Sequence, residues 1–317
     1  MHVLAEMANK RERERDACSH VHTCSTDDKS VAMRPAAMRP AAMRGFRESV
    51  SFQLPSLAPP APSVTTDELQ SLAKLIFGQR LLVITGAGIS TASGIPDYRS
   101  PNGSYSRGHK PIQHHEFVQH EAQRRRYWAR SYVGYQYFSL ARPNPAHRAL
   151  ANLETHGFVH GMVTQNVDGL HTLAGQQRVI DLHGRIDMVE CLQCHAKTPR
   201  SALQERLREH NTEWVASLRP TLPTELRADG DSELSQAQTE QFVIPACKAC
   251  GGILKPSVTF FGGSVPQERV QAAAHEVAAA DAVLVVGSSL QVYSAFRLAK
   301  AAAEAAKPIA ILNNGPT

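Results

Sequence analysis

At 317 residues the chain is long enough to bury the core of one large domain or two modest ones, and its 42% hydrophobic and 20% charged residues are ordinary for a globular protein. No run of 18 or more uncharged apolar residues occurs, which excludes a membrane-spanning helix. The formal charge of +5 is scattered instead of gathered on one element, so neither nucleic acid nor a membrane surface is expected as a partner.

Residues 1–62 read as an unfolded tail and linker. They run from the charged stretch KRERERD through the repeat AMRPA, AMRPA, AMRG to LPSLAPPAPS. Between Ser30 and Arg47 there are arginines at 34, 39, 44 and 47 and no acidic residue, the composition of a mitochondrial transit peptide. The acidic residues further upstream fit that reading only if translation starts at Met33, Met38 or Met43. The location expected is then the mitochondrial matrix, and otherwise the cytoplasm.

Folded structure is predicted from Thr65, where Thr65 and Glu68 form a capping box and Leu69, Leu72, Ala73 and Ile76 recur at helical spacing up to Gly78. A strand LLVIT follows and breaks into Gly86 and Gly88. FVHGMVT reads as a strand entering QNVDGLH, and RVIDL as a strand entering HGR. Beyond the last cysteines come a helix VQAAAHEVAAA, a buried strand AVLVV, a helix SAFRLAKAAAEAA and a strand PIAIL. Strands alternating with helices imply an α/β fold with a doubly wound, parallel, Rossmann-like sheet, whose ligands sit at the carboxyl ends of the strands. Four strand ends carry polar or glycine-bearing loops, namely Gly86 to Ser90, Gln165 to Asp168, Gly287 to Ser289 and Asn313 to Gly315, and they are expected to build one crevice.

The first of these loops is not the common dinucleotide fingerprint G-x-G-x-x-G, because Thr91 stands where the third glycine belongs. A conventional NAD-dependent oxidoreductase is therefore disfavoured. Asp97, Tyr98 and Arg99 extend the loop with a carboxylate, a ring and a guanidinium, which suit a ribose or a cationic ring, or equally a solvated turn. Gln165, Asn166 and Asp168 bunch hydrogen-bonding groups in one strand-end loop, where Asn and Asp are also ordinary turn formers. His183 follows a strand directly, and a neutral imidazole is the side chain ready to take a proton near pH 7, so it is a candidate base beside the alternative of a structural histidine. Of six cysteines, Cys191/Cys194 and Cys247/Cys250 form two C-x-x-C pairs 52 residues apart with Gly251 and Gly252 after the second, the pattern of a structural Cys₄ zinc site that leaves no vacancy for catalysis. A zinc-ribbon interaction module alone would leave the four strand-end loops unexplained.

Taken together, TGAGIS, SGIPDYRS, TQNVD, LHG, the paired C-x-x-C and GSSLQV resemble the sirtuin family from about Leu81 onward. The wording KPIQHHEFV, RYWAR, PNPAH, LQVYS and PIAILNNGPT is most similar to class II sirtuins of the mitochondrial sirtuin-four type. The resemblance implies an NAD-consuming protein-lysine deacylase, with mono-ADP-ribosyl transfer at the same site as the alternative. Nicotinamide leaves as the acyl oxygen attacks the ribose, and the products are free lysine and O-acyl-ADP-ribose. It assigns His183 as general base and Gly86, Ala87, Gly88, Ile89, Asp97, Tyr98, Arg99, Gln165, Asn166, Val167 and Asp168 to the cofactor. Gly287, Ser288, Ser289, Asn313, Asn314 and Gly315 fall to its adenosine half, and the four cysteines to one structural zinc. An acylated protein substrate would lie as an added strand between the 288–294 segment and Val258, Phe260, Phe261 and Gly262.

The corresponding division is a dinucleotide domain over 63–185 and 251–317, with a cofactor loop and helices at 95–150, and a zinc module over 186–250. The chain departs from relatives in three places. Ser131 and Gly134 stand where desuccinylating relatives carry Tyr and Arg, with Tyr127 and Arg130 spelling that pair a helical turn early. Gly263 replaces a frequent acidic residue, and the family continues past the position of Thr317, so a truncated adenine side is expected. The sequence carries no signal for oligomeric state.

Overall fold

The computed structural model describes residues 54, 56–58, 64–218, 227–315 and 317, so the tail and transit-peptide reading falls almost wholly outside the described residues. Helix α1 (Thr66–Ile76) starts at the expected capping box: Thr65 Oγ1 accepts from the Glu68 amide at 3.3 Å, and the Glu68 carboxylate accepts from the Thr65 amide at 2.8 Å. Strand β1 (Leu81–Thr85) is buried at all five positions because it is the central strand of the sheet. On one side it pairs with β2 (Val159–Thr164), which pairs with β3 (Val179–Asp181). On the other it pairs with β7 (Ala282–Val286), which pairs with β8 (Ile309–Leu312). All four pairings are parallel, giving the order β3-β2-β1-β7-β8.

The strand order reverses direction at β1, which makes the β1/β7 boundary the switch point where a crevice opens. Alternate residues of β1 feed opposite faces. Leu81 and Val83 join Leu72 and Ile76 of α1 and Leu150 and Leu153 of α4 (Pro145–Thr155). Leu82 and Ile84 join Ala273 and Val277 of α9 (Gln267–Ala279) and Leu298 and Ala302 of α10 (Tyr293–Glu304). Helices thus cover both faces of a parallel sheet, the doubly wound α/β class.

A second, antiparallel sheet has the order β5-β4-β6, from β4 (Gly184–Cys191), β5 (Lys197–Pro199) and β6 (Leu254–Val258). Its strands begin before residue 186 and end after 250, so the sheet draws on residues to either side of the expected zinc module. Its core also takes in helices from the 95–150 segment. Phe117 of α2 (His114–Gln119) and Tyr127, Trp128 and Tyr132 of α3 (Glu121–Phe138) pack with Val189, Leu203, Trp214 and Phe242. Helical periodicity marks an apolar face but does not say which core will receive it, and here the apolar faces of α2 and α3 meet the core of the small sheet.

Candidate active site

The carboxyl ends of β1, β2, β7 and β8 and the segment after β3 border one cavity of about 860 Å³. All four predicted loops reach it. Gly86, Ala87, Gly88, Asp97, Tyr98, Arg99, Gln165, Asn166, Val167, His183, Phe260, Phe261, Gly262, Gly287, Ser288, Ser289, Asn313, Asn314 and Gly315 line it. Three predicted residues do not: Ile89, Asp168 and Val258. Ile89 lies in a 3₁₀ turn (Ala87–Ser93) and faces the core beneath the loop. Asp168 accepts from Ser90 Oγ at 2.7 Å and from the Leu170 amide at 2.8 Å. Val258 packs against two cores at the end of β6.

The glycines of the first loop are required by another loop. A Cβ on Gly86 would stand 2.8 Å from Ser288 Cβ, and one on Gly88 would stand 2.9 Å from the Gly287 carbonyl oxygen. The two chains are already bonded there, since the Gly88 amide donates to the Gly287 carbonyl at 2.9 Å. Gln165 Nε2 closes the third side by donating to Ser288 Oγ at 2.7 Å.

A polar layer lies under this floor. Asn166 Nδ2 donates to the Gly86 carbonyl and to Ser90 Oγ, each at 3.1 Å. Burial raises the Asp168 carboxyl above its ordinary range, against the lowering effect of its two donors. Next to it, the rings of His147 and His171 lie 4.7 Å apart, and burial drives them down to about 3 and about 4. His147, on α4, and His171 are the histidines that sequence reading passed over. Nothing in their spacing distinguishes them from surface histidines.

Tyr98, Tyr105 and Phe261 form an aromatic wall, with ring centres 5.4 to 6.5 Å apart and the Arg99 guanidinium 5.3 Å above Tyr105. Asp97 serves its own turn, accepting from the Ser100 amide at 2.8 Å and the Arg99 amide at 3.0 Å. The opposite wall comes from α10 and its approach, through Gln291, Val292, Tyr293 and Ser294. Arg130 is committed elsewhere: it pairs with Asp231 at 3.1 Å and donates to the Ser232 carbonyl at 2.8 Å.

His183 sits at the junction of the two sheets, its carbonyl accepting from the Thr259 amide at 2.7 Å. Nδ1 is 3.0 Å from the Gln165 carbonyl oxygen, which can only accept, so Nδ1 carries the hydrogen and Nε2 the lone pair. Burial, aided by the Arg269 charge, pushes this imidazole below its ordinary pKa of 6.5, while the Gln165 carbonyl acts in the opposite sense. A ring neutral at pH 7 on the edge of a dinucleotide-sized cavity has the protonation state of a general base.

The four cysteines fit a tetrahedral ion. All four sulfurs lie within 4.8 Å of one another, with Cys191 to Cys250 at 3.5 Å and Cys194 to Cys247 at 3.8 Å. Zn–S bonds of ~2.3 Å in a tetrahedron require sulfurs roughly 3.8 Å apart. The two knuckles share one turn: the His195 amide donates to the Cys191 carbonyl at 3.0 Å and the Gly251 amide to the Cys247 carbonyl at 2.9 Å, with φ of 59° and 75° at those residues.

A parallel sheet with its crevice at the switch point, a neutral imidazole lining the crevice and a four-cysteine cluster describe a Rossmann-like fold with a dinucleotide-sized site and a cysteine-bearing insert. The Sir2 family model matches residues 86–294. An NAD-dependent protein deacetylase 2 of Bradyrhizobium diazoefficiens is 52% identical over 239 residues, covering 75% of this chain and 85% of that relative. The human NAD-dependent protein lipoamidase sirtuin-4, mitochondrial, is 49% identical over 262 residues, covering 82% of each. A solved Sir2 complex with deacetylated p53 peptide and 3′-O-acetyl-ADP-ribose superposes with a TM-score of 0.62 at 30% identity, over 78% of this chain and 88% of that one. The chain belongs to the Sir2 family and is an NAD-dependent protein deacylase.

Proposed function

We propose that the protein moves an acyl group from a protein lysine to the ADP-ribose of NAD, with His183 as the base that makes the transfer possible. The observation that carries this reading is the His183 ring itself, held by Gln165 at Nδ1 so that the lone pair falls to Nε2, in the lining of the cavity. NAD, when bound, supplies the acyl acceptor as its nicotinamide is released. The chain's residues bind, orient and move one proton. Gly86 to Gly88 and Gly287 to Ser289 offer small or absent side chains for close approach to phosphates, while the Gly86, Gly88 and Gly287 amides are bonded within the fold. Asn313, Asn314 and Gly315 stand at the exposed rim, suited to the adenosine end. Tyr98 and Phe261 exclude water from the opposite end, and Asn166, held by Gly86 and Ser90, presents a fixed polar edge there. His183 Nε2 accepts the proton of a ribose hydroxyl, which then attacks the acyl carbon.

The substrate peptide is proposed to run between Phe260 to Gly262 and the 288–294 segment, bonding through main chain. The four cysteines would hold one zinc ion, which with all four sites filled by sulfur stabilises the module and activates no water. Location in the mitochondrion is proposed on the acid-free, arginine-bearing stretch 30–47 and on the human relative, and import with cleavage in isolated mitochondria tests it.

The test is incubation with NAD and a panel of acyl-lysine peptides, following nicotinamide release and deacylation together. Coupled release is expected, and His183→Ala is expected to lose it by about 100-fold or more. Labelling of protein by NAD without deacylation of any peptide would reject the reading in favour of ADP-ribosyl transfer.

A further inference from the structure

Both nitrogens of the His183 ring are engaged. While Nδ1 meets Gln165, Nε2 lies 2.8 Å from Ser294 Oγ, on a residue 111 positions away in the chain. Because Nε2 bears the lone pair, the Ser294 hydroxyl is the donor in this bond. Ser294 is the second residue of α10, half-buried, and it lines the same cavity as the ring. The two partners approach the imidazole from different strand-end segments, so together they fix its position and its rotation.

We propose that Ser294 is the positioning residue of the His183 base: its hydroxyl holds Nε2 in place before the substrate hydroxyl arrives and bonds the ring again after proton uptake. The proposal rests on the reading of His183 as base. When Nε2 takes a proton from a substrate hydroxyl, an N–H bond forms as that O–H bond breaks. Nε2 has a single lone pair, so Ser294 yields it to the substrate hydroxyl for the transfer, keeps its own proton, and accepts from the new N–H once the attacking oxygen has moved to the acyl carbon. A hydroxyl can do both, and a methyl group neither.

Ser294 can bond both forms of the ring, but its bond to the protonated form is charge-assisted and the stronger, so with the Gln165 carbonyl it opposes burial and Arg269 of α9, the charged group whose field reaches the ring. Removing the hydroxyl therefore makes the ring harder to protonate.

The experiment compares Ser294→Ala, Ser294→Thr and His183→Ala in the full chain, measuring steady-state deacylation from acid to alkaline pH and the melting temperature of each. Ser294→Ala is expected to lower kcat by about 10-fold, to leave KM for the acyl peptide unchanged, and to move the acid limb of kcat/KM for NAD to lower pH. Ser294→Thr, which restores the hydroxyl, is expected to restore both. Wild-type kcat and an unmoved acid limb in Ser294→Ala, with His183→Ala inactive, would overturn the role of Ser294 and leave the base in place. Equal losses in the alanine and threonine variants with an unmoved limb would also overturn it, since they mark a packing role. Full deacylation by His183→Ala would instead remove the reading on which the proposal stands.

Discussion

The two histidines beneath the crevice link folding to pH by their burial. His147 and His171 are held neutral in the fold, down to about 3 and about 4, whereas in the unfolded chain each titrates near 6.5. Above pH 6.5 neither state binds the proton and the pair contributes no pH slope. Below it the unfolded chain takes up protons that the folded protein refuses, so stability falls as pH falls. At pH 5 the penalty is about 2 kcal/mol for each ring, or ~4 kcal/mol for both. Urea unfolding at pH 7.5 and pH 5.0 should show a loss of that order, and His147→Gln should lose about half of the slope. An identical slope in that variant would place the pH dependence elsewhere. Burial also lowers His183, and a ring kept neutral in this way is one that can take a proton, as its proposed role as base requires.

At the scale of elements, α4 and the glycine loop are one unit through Asn144. Its side-chain oxygen caps α4, accepting from the Ala146 amide at 2.8 Å, while its Nδ2 donates to the Ile89 carbonyl at 2.7 Å and to Ser93 Oγ at 3.0 Å. Asn144→Ala removes the cap and strands a buried carbonyl, for an expected loss of about 2 kcal/mol. Because the loop is released with the helix, KM for NAD should rise while kcat changes little. Calorimetry and steady-state kinetics on one preparation check both, and a stability loss with unchanged KM would separate helix from loop. The elements legible in the sequence were those whose pattern is local: the largely apolar β1 and the all-apolar β7, the capping box of α1, and the strand-end positions of Gly86, Gln165, His183 and Gly287. What was not legible depends on direction. Ile89 and Asp168 sit in motif loops but face inward, because a single 3₁₀ turn and an Asp-capped turn point alternate residues away from solvent. The sequence marked Ser294 only as the end of a substrate-flanking segment, since its proposed role exists only through a ring brought from the segment after β3.

Across the whole molecule, the parallel sheet and the cysteine module hold separate cores that meet at the crevice, and the protein's two tryptophans both belong to the second. Trp128 is fully buried with its Nε1 donating to the Leu254 carbonyl at 3.1 Å, and Trp214 lies 4.7 Å from Phe242. Cys191 and Cys247 are members of the same cluster, so a metal held there fixes the floor on which both indoles rest. A structural zinc ion contributes its binding free energy to the folding of what surrounds it. Stripping the metal should therefore expose the indoles and shift their emission to the red, while the five-stranded sheet keeps its far-ultraviolet dichroism. Deacylation should fall with the emission change, because Phe260 and Phe261, which line the crevice, follow directly on β6 of the small sheet. Metal content, emission and dichroism followed through one chelator titration test the argument. Loss of dichroism in step with emission would mean that the two cores unfold as one, and unchanged emission after full metal loss would mean that packing alone sustains the module.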